Sequence, residues 1–306
     1  MFKFSLSAFS LICLSTASAD EWVFFKPQLG IGFSDNVYQD DLNKKSDSFA
    51  WVQAQTRYSL SDSKLTAKIN LTTYSTEVAN NSLSYSLYSK SEVAYANLGL
   101  TLGLGGFSYL KSQVASTDES FNNFYFIGYV TKSLMTRNEF ELSVEPGLKF
   151  STYPQLSGRN DISFFTKLDA LWSFSSNRDI NPYFELGFLF SNKSYYAKNY
   201  VDLGILWNER IDDLYRFSVD YSIRSSSYPN RRVSDILFIP NRSGRNTSVK
   251  LNSSENISLT QLLASITRSE TSHEYSLGLN YATENSLSQL EYFTELQLLA
   301  SVQWTF

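Results

Sequence analysis

The sequence predicts an all-β protein: a transmembrane up-and-down antiparallel β-barrel of about 14 strands. Two observations carry this prediction. Segments of alternating apolar and polar residues recur along most of the chain, and this period of two is typical of strands with one apolar and one polar face. Beyond residue 19 there is no run of 18 or more apolar residues, so no transmembrane helix is expected. A closed barrel is then the remaining structure that satisfies its backbone hydrogen bonds in lipid.

Residues 1–19 have the organisation of a secretory signal peptide. Lys3 provides a positive charge, residues 4–14 are mostly apolar, and small residues precede a cleavage site after Ala19. We therefore divide the chain into a signal peptide, 1–19, and a β-barrel, 20–306. Cys13, the only cysteine, lies in the apolar segment. The alternative of a lipoprotein acylated at Cys13 is disfavoured, because the bulky Ile12 precedes it. The mature chain would then have no disulfide and no thiolate metal site.

Composition agrees with a barrel that has a polar interior. Aromatic residues make up 16% of the chain, with 20 Tyr and 23 Phe, while the mean hydropathy is negative. A barrel combines these properties, because half of each strand faces a polar lumen. Without Lys3 the chain has 25 basic and 30 acidic residues. This negative balance gives no general attraction to nucleic acid.

The strand pattern is clearest over residues 139–151. Its apolar positions alternate with polar ones throughout, which places Leu148 toward lipid and Lys149 toward the lumen. Pro146 lacks an N–H group, so we expect a bulge or a local bend there. The other predicted strands are 49–60, 65–75, 122–133, 161–174, 183–192, 199–208, 214–225, 273–282 and 296–306.

Connections between the strands alternate between short and long, as periplasmic turns and extracellular loops do. Counting strands between them gives 14. Twelve or sixteen strands stay open, because 83–98 permits two registers and the alternation slips over 246–268. The predicted short connections are 61–63, 103–106, 135–138, 175–182, 209–213 and 269–272. The predicted long connections are 35–47, 77–84, 115–121, 152–160, 193–198, 226–247 and 283–290.

The final strand, 296–306, carries a more specific signal. Counting back from Phe306, every second residue is apolar, including Trp304. A final strand of this kind resembles the C-terminal signature of bacterial outer-membrane β-barrels. The resemblance implies a porin-like protein in the outer membrane of a Gram-negative bacterium, with Phe306 and Trp304 serving as an assembly signal for the barrel-assembly machinery. A soluble β-sandwich also alternates, but it requires neither an export signal nor a terminal aromatic strand.

Residues for catalysis or metal binding are scarce. The chain has one histidine, His273, and the short turn before it places it at the periplasmic rim. Outer-membrane enzymes that resemble phospholipases, proteases or lipid A deacylases rely on a histidine base at the outer leaflet, the opposite end of the barrel, so we expect no enzymatic activity. A single histidine without cysteine also gives no metal site. We expect no cofactor.

The lumen is the candidate site. Its predicted lining mixes charges of both signs: Arg57, Lys68, Glu141, Glu145, Lys149, Lys167, Asp169, Glu185, Asp202, Arg216, Asp220 and Arg224. The selectivity candidates among them are Glu145, Lys149, Lys167, Asp169, Asp220 and Arg224. Such charges either pair into a structural belt or create a transverse field across a pore. Inward polarity over the whole set favours water inside the barrel.

One predicted loop, 226–247, differs from the others by its positive charge. It contains an apolar stretch, 236–240, that can fold inward, and four arginines: Arg231, Arg232, Arg242 and Arg245. Arginine forks suit carboxylate, sulfate and phosphate groups. Charge placement resembles that of anion-preferring and acidic-oligosaccharide porins. The alternative is that the arginines bind lipopolysaccharide phosphates at the outer rim, and both interpretations stay open.

The sequence therefore predicts a monomeric outer-membrane channel for small hydrophilic solutes, including anionic solutes and oligosaccharides. Its expected partners are outer-membrane lipid and lipopolysaccharide, the barrel-assembly machinery and the solute, with no nucleic acid. A second hypothesis is a non-conducting barrel that serves as a structural or surface-polysaccharide accessory protein. A third hypothesis, a barrel enzyme, is disfavoured by the histidine count.

Replacing all four loop arginines with Gln tests the mouth-loop hypothesis. The fields of charged side chains are screened over about 8 Å at physiological salt, so these arginines affect permeation only if the loop lies in the mouth. We then expect the reversal potential in a salt gradient to shift toward cation selectivity, most clearly at low salt. An unchanged reversal potential together with higher outer-membrane permeability to detergents would favour lipid binding instead.

Overall fold

The computed structural model describes residues 22–37, 44–60, 63–93, 97–109, 121–154, 156, 158–230, 255–286 and 293–306. Fifteen strand segments occupy most of these residues. In chain order they are β1 (Trp22–Ser34), β2 (Asp47–Leu60), β3 (Ser63–Tyr74), β4 (Ser82–Val93), β5 (Leu98–Tyr109), β6 (Phe121–Val130), β7 (Lys132–Arg137), β8 (Phe140–Tyr153), β9 (Arg159–Ser175), β10 (Arg178–Ser191), β11 (Lys198–Arg210), β12 (Tyr215–Tyr228), β13 (Glu255–Ser269), β14 (His273–Ser286) and β15 (Phe293–Trp304).

These segments form one closed antiparallel barrel of 14 strands. Each segment pairs with its neighbours in sequence except that β6 and β7 do not pair with each other; β6 pairs with β8, and β1 pairs with β15. Segments β6 and β7 both pair with β8 and are two halves of one barrel strand. The predicted fold class and the count of 14 are therefore confirmed.

The break between β6 and β7 lies at Thr131, opposite the region of Pro146 in β8. Because proline has no N–H, the ladder lacks a donor at this point. The N–H of Thr131 points to the other neighbour, β5, and donates to the carbonyl oxygen of Asn97 at 2.9 Å, which continues the pairing of β5 with β6. The predicted irregularity near Pro146 is thus an interruption of the partner strand, while the pairing of β8 with β9 stays in register.

Short turns lie at the end of the barrel where β1 begins and β15 ends, and the longer connections lie at the other end. One predicted turn, 103–106, is wrong. Gly103, Gly105 and Gly106 lie in the middle of β5. A Cβ at Gly103 would lie 2.4 Å from the ring of Tyr125 on the next strand. These glycines mark close approach of side chains from neighbouring strands rather than a change of chain direction.

The segment in which the alternation slips, 246–268, contains β13. Its apolar residues occupy both faces: Leu262 and Ile266 lie on the outer face, while Leu259 and Leu263 point into the barrel opposite Arg224 and Asp220. This distribution explains the irregular sequence pattern. The signal peptide, 1–19, and residues 231–254, which include most of the predicted loop 226–247, lie outside the described residues.

The outer face of the barrel is apolar. On β9 the side chains of Ile162, Phe164 and Trp172 are exposed on this face, whereas Lys167 and Asp169 alternate with it on the inner face. Leu102 and Leu277, on distant strands, are also more than 60% exposed. Such a surface requires an apolar solvent, which lipid provides. No helix in the described part of the chain is long and apolar enough to span a membrane.

The barrel closes at the pairing of β1 with β15. Phe306 continues this ladder in register beyond Trp304, because its N–H and C=O bond to the C=O and N–H of Phe25, both at 3.0 Å. The two rings stack with centroids 6.3 Å apart. The side chain of Phe306 is nevertheless 74% exposed, so its ring faces the surroundings of the barrel.

Replacing Phe306 with Asp tests its predicted role in assembly. We expect the variant to accumulate unfolded in the periplasm, because a charge would occupy the outer face at the closing seam and the terminal aromatic residue would be lost. Cell fractionation with a protease-accessibility assay measures this outcome. Thr305→Asp is the matched control on the adjacent residue. Normal membrane insertion of Phe306→Asp would contradict the prediction.

Adjacent residues of β8 test the two faces. Leu148→Arg places a charge on the lipid-facing side, which we expect to cost about 2–4 kcal/mol near the bilayer midplane. Lys149→Ala, on the inner face, should change the free energy of unfolding much less. Equilibrium refolding into lipid vesicles compares the two variants, and the opposite ranking would show that the assigned faces are reversed.

Candidate solute pathway

The inner wall is kept smooth by aromatic rings that lie over glycines of neighbouring strands. A Cβ at Gly187 or Gly204 would lie 2.1 or 2.4 Å from the ring of Tyr200 or Tyr183, respectively. Gly147 has the same relation to Phe165, at 2.1 Å. Because glycine has no side chain, each ring can lie flat against the wall instead of projecting inward. The rings therefore take little space from the lumen.

Five consecutive strands, β8 to β12, carry one row of charged residues on the inner face. The members of the row lie opposite each other in the ladders. In strand order they are Glu145, Lys167, Glu185, Asp202 and Arg224. Directly opposed residues are the nearest neighbours on a sheet face, so these side chains form one electrostatic cluster.

The anions of this wall have hydrogen-bonding partners. Asp202, only 5% exposed, forms an ion pair with Arg224, whose Nε lies 2.9 Å from the carboxylate. The hydroxyl of Tyr200 donates to Glu185 at 2.6 Å. The hydroxyl of Thr131 donates to Glu145 at 3.3 Å. A buried carboxylate costs free energy unless it is paired and hydrogen-bonded, and this network supplies those partners.

The cations of this wall are also satisfied. Lys167 forms an ion pair with Asp169 of the same strand, and it lies 5.1 Å from the ring centre of Tyr183. Asp169 accepts a further hydrogen bond from Asn181, at 2.5 Å. Lys149 lies 5.6 Å from the ring centre of Tyr125. Cations over aromatic faces are stabilised by the ring quadrupole. Each member of the charged row on β8 to β12 therefore has a partner, and we call the row with these partners the self-compensating belt.

The structure places the predicted site residues as follows. Glu145, Lys149, Lys167, Asp169, Asp220 and Arg224 lie on the inner face. Asp220 is the exposed acid of β12 and faces the lumen between Leu206 and Leu263. Trp304 lies on the outer face opposite His273. Arg231, Arg232, Arg242 and Arg245 lie outside the described residues.

The wall formed by β1, β2 and β3 carries site residues that the sequence pattern did not single out. Its inner face carries four basic residues, of which Lys26 and Lys64 were not identified as lining residues and Arg57 and Lys68 were not selected as site residues. It also carries a group of aromatic rings. Only the strand order shows that these residues share one surface, because they come from three strands and the sequence alone does not assign register to the first.

His273 is the first residue of β14 and follows the turn between β13 and β14. Its Nδ1 is 3.0 Å from the hydroxyl oxygen of Ser272, and its Nε2 is 3.0 Å from a carboxylate oxygen of Glu270. All three residues belong to one exposed or half-exposed connection at the end where the chain termini lie. The hydroxyl and the imidazole project from a turn rather than into a cleft, so this group offers no substrate site. Within the described residues no cluster of His, Cys, Asp and Glu is arranged to bind a metal ion.

Comparison with known proteins shows similarity at the level of the fold. No protein-family model matches this chain, and no curated protein matches it. Among solved structures, the outer membrane protein OpdK from Pseudomonas aeruginosa matches with a TM-score of 0.52 and 9% identity over 92% of this chain and 98% of that chain. OpdK with bound vanillate matches with a TM-score of 0.51.

CdiB from Acinetobacter baumannii also matches, with a TM-score of 0.52 and 8% identity over 92% of this chain and 60% of that chain. At these identities the similarity shows the fold alone. Together with the apolar outer face, it supports an outer-membrane location for this barrel.

Proposed function

We propose that this protein is an outer-membrane channel, porin-like in the broad sense, through which small hydrophilic solutes diffuse. One observation carries the proposal: the inner face is largely polar, and several of its large rings lie flat over glycines. Eight-stranded barrels are narrow enough for side chains to fill, and diameter grows with strand number. A barrel of 14 strands with flattened rings has room for water and solute.

The charge distribution supports solutes that include anions and oligosaccharides. On β8 to β12 the cations are paired with carboxylates or lie over rings, whereas β1 to β3 carry basic residues with aromatic and amide neighbours. The four loop arginines would add to this preference if they lie in the mouth. We propose further that the protein is a monomer surrounded by lipid and lipopolysaccharide. A non-conducting accessory barrel is not favoured by a wall built to keep rings out of the lumen.

Conductance of the purified protein in planar bilayers tests this proposal. We expect discrete, voltage-independent current steps in potassium chloride. Ser265 and Ala264 are adjacent residues of β13 on the inner and outer faces, respectively. Ser265→Trp should lower single-channel conductance. Ser265 lies between Gly278 and Ser218, whose side chains are small, so the new ring would project into the lumen. Ala264→Trp is the matched control and should leave conductance unchanged.

Absence of current steps from correctly folded protein would reject the channel and favour the accessory role. Equal conductance in both Trp variants would show that the current does not pass through the barrel lumen.

A further inference from the structure

Four cations on the inner face of β1, β2 and β3 form a group in which no member is ion-paired with a described residue. The group consists of Lys26, Arg57, Lys64 and Lys68. Gln55 lies opposite both Lys26 and Lys68 in the two ladders, and Arg57 follows two residues later. Neighbouring strands lie about 4.8 Å apart, so the backbone positions of Lys26 and Lys68 are separated by about 10 Å. We refer to these four residues as the cationic group.

No carboxylate of the described part of the chain forms an ion pair with any member of the cationic group. Lys26 and Arg57 instead lie 5.2 and 4.7 Å from the ring centre of Phe24. Among the described inner-face side chains of these strands the one acid is Asp47, which lies at the opposite end of β2. There it accepts backbone N–H groups of Ser48, Thr76 and Glu77.

The opposite wall of the barrel differs from the wall of β1 to β3, because its charges are paired. Strands β2 and β3 lie seven barrel strands away from β10 and β11, whose carboxylates take part in the self-compensating belt. Like charges held close together repel each other, so the cationic group is in a less favourable state alone than with an anion bound. An anion in the lumen would find unpaired positive charge on one wall and compensated charge on the other.

An aromatic group lies on the same wall, nearer to the long loops. Its members are Phe49, Trp51 and Tyr74, with ring centres 5.8 Å apart for Phe49 and Trp51 and 5.3 Å apart for Phe49 and Tyr74. The rings of Trp51 and Phe49 cover Gly30 and Gly32, where a Cβ would lie 2.1 and 2.5 Å from the ring atoms. One face of the Trp51 ring and one face of the Phe49 ring are therefore covered by backbone, which leaves the other face toward the lumen.

Amide side chains separate the aromatic group from the cationic group. Gln53 donates to Gln28 at 3.2 Å, Gln28 donates to Ser301 at 2.9 Å, and Asn70 donates to Thr72 at 3.3 Å. Each amide nitrogen has a second hydrogen, and each amide oxygen has two lone pairs. These amides therefore keep capacity to bond hydroxyl groups of a solute.

We propose that this wall is a binding track for acidic saccharides, which are sugars that carry carboxylate groups. The apolar face of a sugar ring packs on the aromatic group, its hydroxyl groups bond to the amides, and its carboxylates pair with the cationic group. Along β2 the distance from Trp51 to Arg57 is six residues, or about 20 Å, so the track suits an oligomer rather than a single ring. The inference rests on the proposed channel function and names its solute class.

Current block in planar bilayers tests the track. Trigalacturonate is the acidic probe, maltotriose is the neutral probe of the same length, and benzoate is a ring with a carboxylate but without hydroxyl groups. We expect trigalacturonate to block the channel at concentrations at least tenfold lower than the other two probes require. Equal block by benzoate would overturn the saccharide assignment, since the amides would then contribute nothing.

Variants separate the two ends of the track. Replacing the four residues of the cationic group with Gln should weaken block by trigalacturonate at least tenfold and leave block by maltotriose unchanged. Trp51→Ala should weaken block by both saccharides. Lys132→Gln, which removes an exposed charge of β7, is the matched control and should change neither. Circular dichroism in detergent verifies that each variant is folded.

The two proposals fail differently. A conducting wild-type channel that trigalacturonate does not block preferentially would overturn the track and leave the channel intact. A folded barrel without conductance would reject the channel, and calorimetric titration of trigalacturonate into the barrel in detergent would then show whether the wall still binds it. Undiminished binding in the quadruple variant would also overturn the assignment.

Discussion

The structure depends on one constraint: each backbone N–H and C=O of a strand in lipid must bond to another strand, because no water is available there. The ladders of this chain meet the constraint only when β1 pairs with β15, and Phe306 extends that pairing to Phe25. Near Pro146, which has no N–H to donate, the neighbouring strand breaks at Thr131, while the N–H of Thr131 continues the ladder to β5 at Asn97. Closure thus determines both the seam and the local irregularities.

Closure also divides the side chains into two environments, and the inner one solves two physical problems. Bulky rings would fill the lumen, and placing Tyr183 and Tyr200 over Gly204 and Gly187 prevents this. Carboxylates near the wall lose hydration, and pairs such as Asp202 with Arg224 restore their stabilisation. The polar groups of β8 to β12 therefore mainly stabilise the wall itself. The wall of β1 to β3 keeps charge and ring surface that a solute can use.

Much of the fold could be predicted from residue pattern. The period of two is a local property, so strands such as β8 and β12, their lipid-facing sides and the strand count followed from it. Prediction failed where one residue type has two uses. Residues 103–106 were assigned to a turn because glycine commonly marks turns, yet Gly103 and Gly106 accommodate rings from neighbouring strands. Leu259 and Leu263 face the lumen, so the pattern of β13 did not alternate.

The sequence by itself determined that this chain forms a barrel with an apolar outside and a largely polar inside, since alternation fixes the faces of most strands. It could not determine which charges meet. Glu185 and Asp202 belong to one network with Arg224 only because register places three strands side by side. The cationic group likewise exists only through the pairing of β1, β2 and β3. Pairing partners far apart in sequence are set by barrel closure, and that is a property of the tertiary structure.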